Sequence, residues 1–443
     1  MKKRLFWAIL IAMGLSLASC QKDDDSNDDD TLLFSLKPTG ELLDVTSERI
    51  VTANEIIDYL CSFSPQLEQY KFILPIVINK DLNIASIAYS TRNVDGTITQ
   101  ASGIIAYPII ENYEYTKIVS IQHATCDIAD APSTQNLTAE LLPAIVGDHA
   151  NNLLSPDYFI TVMADYLGYG ISETDKLQHP YLHTGITGST CADMLKASEK
   201  YIADKGLKVK STSGEGADVD LIGYSQGGAS TLATLIELGK RDDSWQARIQ
   251  SVWAGAGPYD IPCFIDFFKD RTEYDRLGFI PFTFRGICYG EGISLDYSKI
   301  YNPNLNADEL ETLFSTKQLS EWHTALGTDI TKFLNPDFYK ADYGGNAEIQ
   351  KLMNAIEKNS LAYSDNVPDE LVQKIKLFHS PTDNTVPYQC SVNLKEKWGC
   401  SDITNLSMSD HTMAGIEFML YYCRLESLIE LFSSSADLQS ISN

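Results

Sequence analysis

The 443-residue sequence predicts an α/β fold: a mostly parallel central sheet with helices on both faces and an inserted cap. Three observations carry that prediction. Short, β-branched apolar runs alternate with helical stretches, the pattern of strands joined by crossover helices. In the middle of this alternation stands Gly223-Tyr224-Ser225-Gln226-Gly227-Gly228, a glycine-flanked serine between an expected strand and an expected helix. An aromatic-rich stretch, residues 258–370, then breaks the rhythm before it resumes.

The chain begins Lys2-Lys3-Arg4, followed by an apolar run from Leu5 to Ala18 and then Cys20. A basic start and an apolar segment of ~7–15 residues have the form of a secretory signal, too short for a bilayer core of ~30 Å. Residues 1–19 are therefore expected to be removed. Leu17-Ala18-Ser19-Cys20 resembles a bacterial lipobox, in which Cys20 is lipidated and becomes the mature N-terminus. Gln21 to Asp30 is dominated by aspartate and has no apolar side chain, so residues 20–31 are expected to form a solvated tether. The run Gln21-Lys22-Asp23-Asp24 resembles the export signal of surface lipoproteins in the Bacteroidota. Together these features predict an extracytoplasmic outer-membrane lipoprotein, exposed at the cell surface and held to the membrane by its N-terminal lipid.

The first part of the core is expected over residues 32–257. Residues 84–107 read as two extended runs joined at Asp95-Gly96, a strong hairpin signal. Buried strands follow at Ile118–Gln122 and Tyr158–Ala164. Residues 189–204 carry Met194, Leu195, Ala197, Tyr201 and Ile202 at helical spacing and end near Gly206, a natural helix stop. Val219–Gly223 and Ile249–Ala254 read as strands on either side of a small-residue helix, Gln226 to about Leu238.

The cap, residues 258–370, holds Phe264, Phe267, Phe268, Tyr274, Phe279, Phe282, Phe284 and Tyr289, with helical pieces such as 306–315. Its aromatic stretch 263–289 suits either a lid with an apolar face for a bulky acyl group or the core of the cap, since aromatics dominate buried area wherever they occur. The second core part, residues 371–443, is expected to supply a strand at Lys374–Phe378, a helix near 389–398, a strand near 402–408 and a helix from Thr412 to about Phe432.

Composition removes several function classes. Thirty-four Lys plus Arg against 60 Asp plus Glu give a net charge of −26. Sequence-independent nucleic-acid binding needs the opposite sign, because Lys and Arg replace the counterions on phosphates. At 44% hydrophobic, the chain has apolar surface enough to offset the entropy of ordering, which excludes a disordered acidic polymer. Of nine cysteines, none lies in a C-x-x-C pair, so a zinc ribbon or thioredoxin-type site is not expected. An oxidising compartment permits disulfides, and the close pairs Cys263/Cys288 and Cys390/Cys400 are the expected bridges.

The glycine-flanked serine carries the chemistry. In a tight strand-to-helix turn, the positions two before and two after the serine must nearly lack side chains, and the hydroxyl stands above the sheet. The helix N-terminus behind it offers free amides to a developing oxyanion. A serine hydroxyl needs an imidazole to take its proton and a carboxylate to fix that imidazole's tautomer. Three of the seven histidines lie beyond Ser225: His323 inside the cap, His379 at a strand end, and His411 before the last helix. Asp383, on the loop after the strand ending near His379, and His411 follow the order serine, acid, histidine. Asp410 is adjacent to His411 and so points elsewhere, Asp402 reads as a solvated edge charge, and His379 as the base would leave His411 idle.

Four segments now carry a family resemblance. They are Tyr89-Ser90-Thr91 with Asp95-Gly96; His123-Ala124-Thr125 with Asp130-Ala131-Pro132-Ser133; Asp165-Tyr166-Leu167-Gly168-Tyr169-Gly170 with His179-Pro180-Tyr181-Leu182; and the Ser225 turn. In these, spanning about residues 84–240, the chain resembles the secretory (lipase A-like) lipases of the α/β-hydrolase class. The resemblance implies a serine hydrolase of carboxylic esters, with Ser225, Asp383 and His411 as catalytic triad and no metal or organic cofactor. It implies backbone amides of Gln226 and Thr125 as the oxyanion hole, with Ala124 standing where the family has glycine. It also makes His179 and His183 loop residues near the site mouth, and Asp165 a structural hydrogen-bonding residue. The expected substrate is a lipid or acylated-glycan ester. A carbohydrate esterase, a serine peptidase of the same fold and a non-catalytic surface binding protein are the competing classes.

Overall fold

Among the residues that the computed structural model describes, nine strands form one sheet. The described residues are 39–426 apart from 64, 73, 136, 153–154, 174–177, 242–243, 316–317 and 365–366. The expected signal segment, Cys20 and the acidic tether lie outside them. In chain order the strands are β1 (Leu42–Val51), β2 (Leu82–Arg92), β3 (Ile98–Pro108), β4 (Ile118–Gln122), β5 (Ile160–Ala164), β6 (Val219–Tyr224), β7 (Ile249–Gly255), β8 (Ile375–His379) and β9 (Thr404–Asn405). Their order across the sheet is β1-β2-β3-β5-β4-β6-β7-β8-β9. Pairing is antiparallel from β1 to β5 and parallel from β5 to β9.

The hairpin signal is borne out. Strands β2 and β3 pair from Leu82↔Pro108 to Arg92↔Ile98. Gly96 holds φ +82°, and the Asp95 carboxylate accepts from the Thr97 amide at 3.0 Å. Strand β1 has no counterpart in the sequence reading, for a physical reason. Nearly all its side chains are exposed, so no apolar alternation marks it, and it pairs as an edge strand along β2.

The helices are α1 (Ala53–Phe63), α2 (Thr184–Asp204), α3 (Gln226–Arg241), α4 (Cys263–Lys269), α5 (Phe279–Gly290), α6 (Ala307–Phe314), α7 (Leu319–Leu326), α8 (Ala347–Asn359), α9 (Tyr388–Trp398) and α10 (His411–Tyr422). Because side chains alternate across a strand, each buried strand feeds two cores. Ile118, Val162 and Leu221 join Met194, Leu195, Leu232 and Leu235 of α2 and α3. Their neighbours Val119, Met163 and Ile222 join Ile56 and Leu60 of α1 and Phe418 and Met419 of α10. Helix α10 stops short of the expected Phe432: Arg424 turns to φ +58°, a conformation that breaks helical continuation, and Phe432 lies outside the described residues.

Helices α4 to α8 stand between β7 and β8 and have a third apolar core of their own, with Phe282, Phe284, Trp322, Ile349 and Leu352. Local signals start two of them. Asn306 caps α6 by accepting from the Asp308 and Glu309 amides, and Asn346 caps α8 through Glu348 and Ile349. The Ser320 hydroxyl on α7 donates to Asp127 at 2.6 Å, tying this layer to the loop after β4.

Candidate active site

Ser225 is the single residue between β6 and α3, at φ +59°. A non-glycine residue in this region costs about 1–3 kcal/mol and persists only where surrounding structure enforces it. Here the Ser225 amide donates to Gly255 of β7 at 2.9 Å, and the Ser225 carbonyl accepts from Gly228 at 2.9 Å. The flanking glycines have steric reasons. A Cβ at Gly223 would sit 2.3 Å from the Gly227 carbonyl oxygen, and one at Gly227 would sit 1.9 Å from that of Gln122. The turn therefore admits a side chain at the serine and none at those two positions.

The acid and base meet beyond the sheet's other parallel strands. The His411 Nδ1–H donates to Asp383 Oδ2 at 2.6 Å. The other carboxylate oxygen, Oδ1, accepts from the amides of Thr385 at 2.8 Å and Val386 at 3.0 Å, so the loop after β8 fixes the acid by its own backbone. Burial pushes the Asp383 carboxyl up, but hydrogen bonds from His379 and His411 outweigh it and hold the group well below the usual carboxylate range. His379 is fully buried and braces the same loop. Its Nδ1 lies 2.7 Å from Ser391 Oγ and its Nε2 3.0 Å from the Val386 carbonyl oxygen. Asp410 is committed elsewhere: it caps α10 by accepting from the Met413 amide at 2.9 Å. Asp402 is exposed and paired with Lys395.

With Nδ1 of His411 donating, its Nε2 is the acceptor, and that buried nitrogen has no hydrogen-bond partner among the described residues. The bond from Ser225 Oγ to it is not made in this structure, yet both side chains line one cavity of about 810 Å³. Thr125 lines the same cavity. Gln226 opens α3, where the first four amides of a helix lack intrahelical partners.

Two further side chains contact Gln226 and Ala124: buried His179, which the resemblance placed in a loop near the site mouth, and partly buried Glu140, which the sequence reading did not single out. His179 Nδ1–H donates to the Leu167 carbonyl at 2.7 Å, so its Nε2 accepts from the Gln226 side-chain amide at 2.8 Å. Burial pushes the His179 imidazole down to about 3, which keeps it in that neutral donor–acceptor form. Glu140 accepts from the Ala124 amide at 2.7 Å, and burial pushes its carboxyl up. Ala124 does not adopt positive φ, so alanine in place of glycine carries no left-handed penalty here. The partners His179 and Glu140 come from distant segments and leave no spacing signal.

No protein-family model matches the sequence, and no curated protein matches it either. Solved structures do. A hydrolase-class protein of Legionella pneumophila superposes with a TM-score of 0.65 at 21% identity, over 87% of this chain and 98% of its own. The rice cell wall degrading esterase LipA of Xanthomonas oryzae gives 0.62 at 21%, over 88% and 97%. Candida antarctica lipase A in its closed state gives 0.58 at 15%, over 88% and 81%. The chain has the α/β-hydrolase fold.

Within this fold, other expected residues take structural places. Asp165 is buried and accepts from Ser102 Oγ at 2.5 Å, from the Ser133 amide at 2.8 Å, and from Ser133 Oγ. His183 caps α2 by accepting from the Ile186 amide, and its Nε2 lies 3.1 Å from Glu291. Much of the aromatic stretch 263–289 lies in the apolar core of helices α4 to α8, including Phe268, Tyr274, Phe282 and Phe284. Part of it also lines a second, smaller cavity of about 60 Å³ that reaches Ser225, through Phe264, Phe268, Tyr274, Phe279 and Phe284.

The expected cysteine bridges are corrected. Cys263, Cys288, Cys390 and Cys400 all carry free thiols. Nearness in sequence misleads here because Cys288 on α5 packs into the core of helices α4 to α8, while Cys400 packs into a core of the sheet. The sulfur that approaches Cys263 is that of Cys390, at 3.2 Å.

Proposed function

We propose that this chain is an extracytoplasmic serine hydrolase of carboxylic esters, tethered to the outer membrane through a lipidated Cys20, with residues 258–370 as the cap over its site. The observation that carries the catalytic part is the shared cavity: Ser225 and His411 line one apolar chamber while Asp383 holds the far side of the imidazole. Ser225 Oγ attacks the ester carbonyl carbon as His411 Nε2 takes its proton. The tetrahedral oxyanion is stabilised by the backbone amides of Gln226 and Thr125. His411 then protonates the departing alcohol, leaving acyl-Ser225. A water deprotonated by His411 attacks that acyl group, and the carboxylic acid leaves as Ser225 recovers its proton.

The cavity walls favour an apolar acyl or alcohol group. Leu60, Leu67, Leu74 and Val77 line the larger chamber from one side, and Ile416, Met419 and Leu420 of α10 from another. Each buried methylene contributes up to about 0.8 kcal/mol, so two of them raise specificity about ten-fold. With p-nitrophenyl esters of graded length, kcat/KM is expected to rise at least about ten-fold from acetate to hexanoate. The Xanthomonas oryzae neighbour is a cell wall degrading esterase, which supports an acylated glycan as the second reading. Activity confined to acetate, with release of acetyl or feruloyl groups from polysaccharide, selects that reading; turnover of no ester at all overturns both.

The tether reading has its own test. Full-length protein made in a bacterial host that processes lipoproteins is expected to enter the detergent phase of a Triton X-114 partition. Cys20→Ser should leave it in the aqueous phase, and continued detergent partitioning of that variant contradicts lipidation at Cys20.

A further inference from the structure

Two cysteines meet where the cap joins the core. Cys263 is the first residue of α4, and Cys390 lies in the first turn of α9, the helix that follows the Asp383 loop. Their sulfurs are 3.2 Å apart across 127 positions of sequence, inside ordinary sulfur–sulfur van der Waals contact. Asp260 braces the same junction from both sides. Its Oδ1 accepts from the Cys263 amide at 3.2 Å, its Oδ2 accepts from Asn393 Nδ2 at 2.5 Å, and its carbonyl accepts from the Cys390 thiol at 3.2 Å. The two sulfurs are thus held together by a hydrogen-bonded frame.

Access is asymmetric. Cys390 is fully buried, whereas Cys263 is partly exposed. We propose that Cys263 and Cys390 are a disulfide site that staples the first cap helix to the helix behind the acid loop when the protein meets a disulfide oxidant. The Cys263 thiolate attacks one sulfur of a small-molecule or protein disulfide, breaking that bond, releasing one thiol and leaving a mixed disulfide on Cys263. The Cys390 thiol, giving up its proton, then attacks the Cys263 sulfur and displaces the second thiol. Both protein thiols are oxidised, the donor disulfide is reduced to two thiols, and the proton count balances. The bridge closes a loop that spans the whole cap, and cross-links over long loops constrain the unfolded chain most. This site is independent of what the chain hydrolyses.

The test uses the purified full chain, reduced, then exposed to oxidised glutathione. Free thiols are trapped with N-ethylmaleimide under denaturing conditions and the chain is digested without reduction for mass spectrometry. A cross-linked Cys263–Cys390 peptide is expected, with the other described cysteines alkylated. Oxidised protein should melt about 5 °C higher than reduced protein, a difference abolished in Cys263→Ser and in Cys390→Ser. Alkylation of both residues after oxidation, a bridge from either to another cysteine, or Cys263 left as a stable glutathione adduct each overturns the proposal. The peptide map on the unmutated chain decides even where a serine variant fails to fold.

Discussion

Ser225→Ala is expected to abolish ester turnover, lowering kcat by about 10⁶-fold, the scale of losing the nucleophile of a serine triad. The size follows from the geometry. Removing Oγ leaves His411 and the oxyanion amides in place, but no acyl-enzyme can form, so only the residual ~10³–10⁴-fold catalysis over water that binding and oxyanion stabilisation supply remains. The substitution should not unfold the turn. Ser225 is held by backbone bonds to Gly255 and Gly228, which alanine keeps, and its hydroxyl makes no hydrogen bond among the described residues that alanine would lose. The check is paired: steady-state turnover of a p-nitrophenyl ester, and labelling by a fluorophosphonate probe with the melting temperature recorded alongside. A Ser225→Ala protein that labels as strongly as the unmutated chain would move the nucleophile elsewhere. One that loses activity only by unfolding would show it in the melt.

What could be read from sequence divides by how local the cause is. The Ser225 turn was legible because its glycines answer to contacts within one strand–turn–helix unit and the neighbouring strand. The hairpin was legible because Asp95-Gly96 sets its own turn. The inner parallel strands β4, β5 and β6 were legible as short apolar runs, since both of their faces are buried. The pairing of Asp383 with His411 was read from chain order together with Asp383's place on the loop after a strand and the family resemblance. Strand β1 was not legible: an exposed edge strand has no buried face to impose a pattern. The contacts of His179 with Gln226 and of Glu140 with Ala124 were not legible, because each acts across a distance in sequence and is fixed only by packing. The cysteine pairing failed for the same reason. Nearness along the chain favours Cys263 with Cys288, whereas the return of β8 and α9 beside α4 brings Cys390 to Cys263.

Asp383→Asn is the second large effect, and it separates a tautomer argument from a merely structural one. The asparagine is nearly isosteric, and its carbonyl oxygen can keep the acceptor role that Oδ1 plays toward the Thr385 and Val386 amides. That choice leaves its NH₂ facing His411 Nδ1. An amide NH₂ cannot accept a hydrogen bond, so Nδ1 must become the acceptor and the imidazole proton moves to Nε2. A protonated Nε2 cannot take the Ser225 proton. The turned asparagine fares no better, because its NH₂ then confronts two backbone N–H donors. The expected loss is about 10⁴-fold in kcat, with KM changed little because the acid contacts no substrate. Asp410→Asn is the matched control. Asparagine caps a helix as well as aspartate does, so the bond to the Met413 amide survives and kcat should stay within about two-fold, since a preserved cap costs at most a few tenths of a kcal/mol. If Asp410→Asn loses activity on the scale expected for Asp383→Asn while Asp383→Asn retains it, the acid is misassigned. The matched pair works because both carboxylates flank His411, one through its ring and the other only through the backbone of its helix.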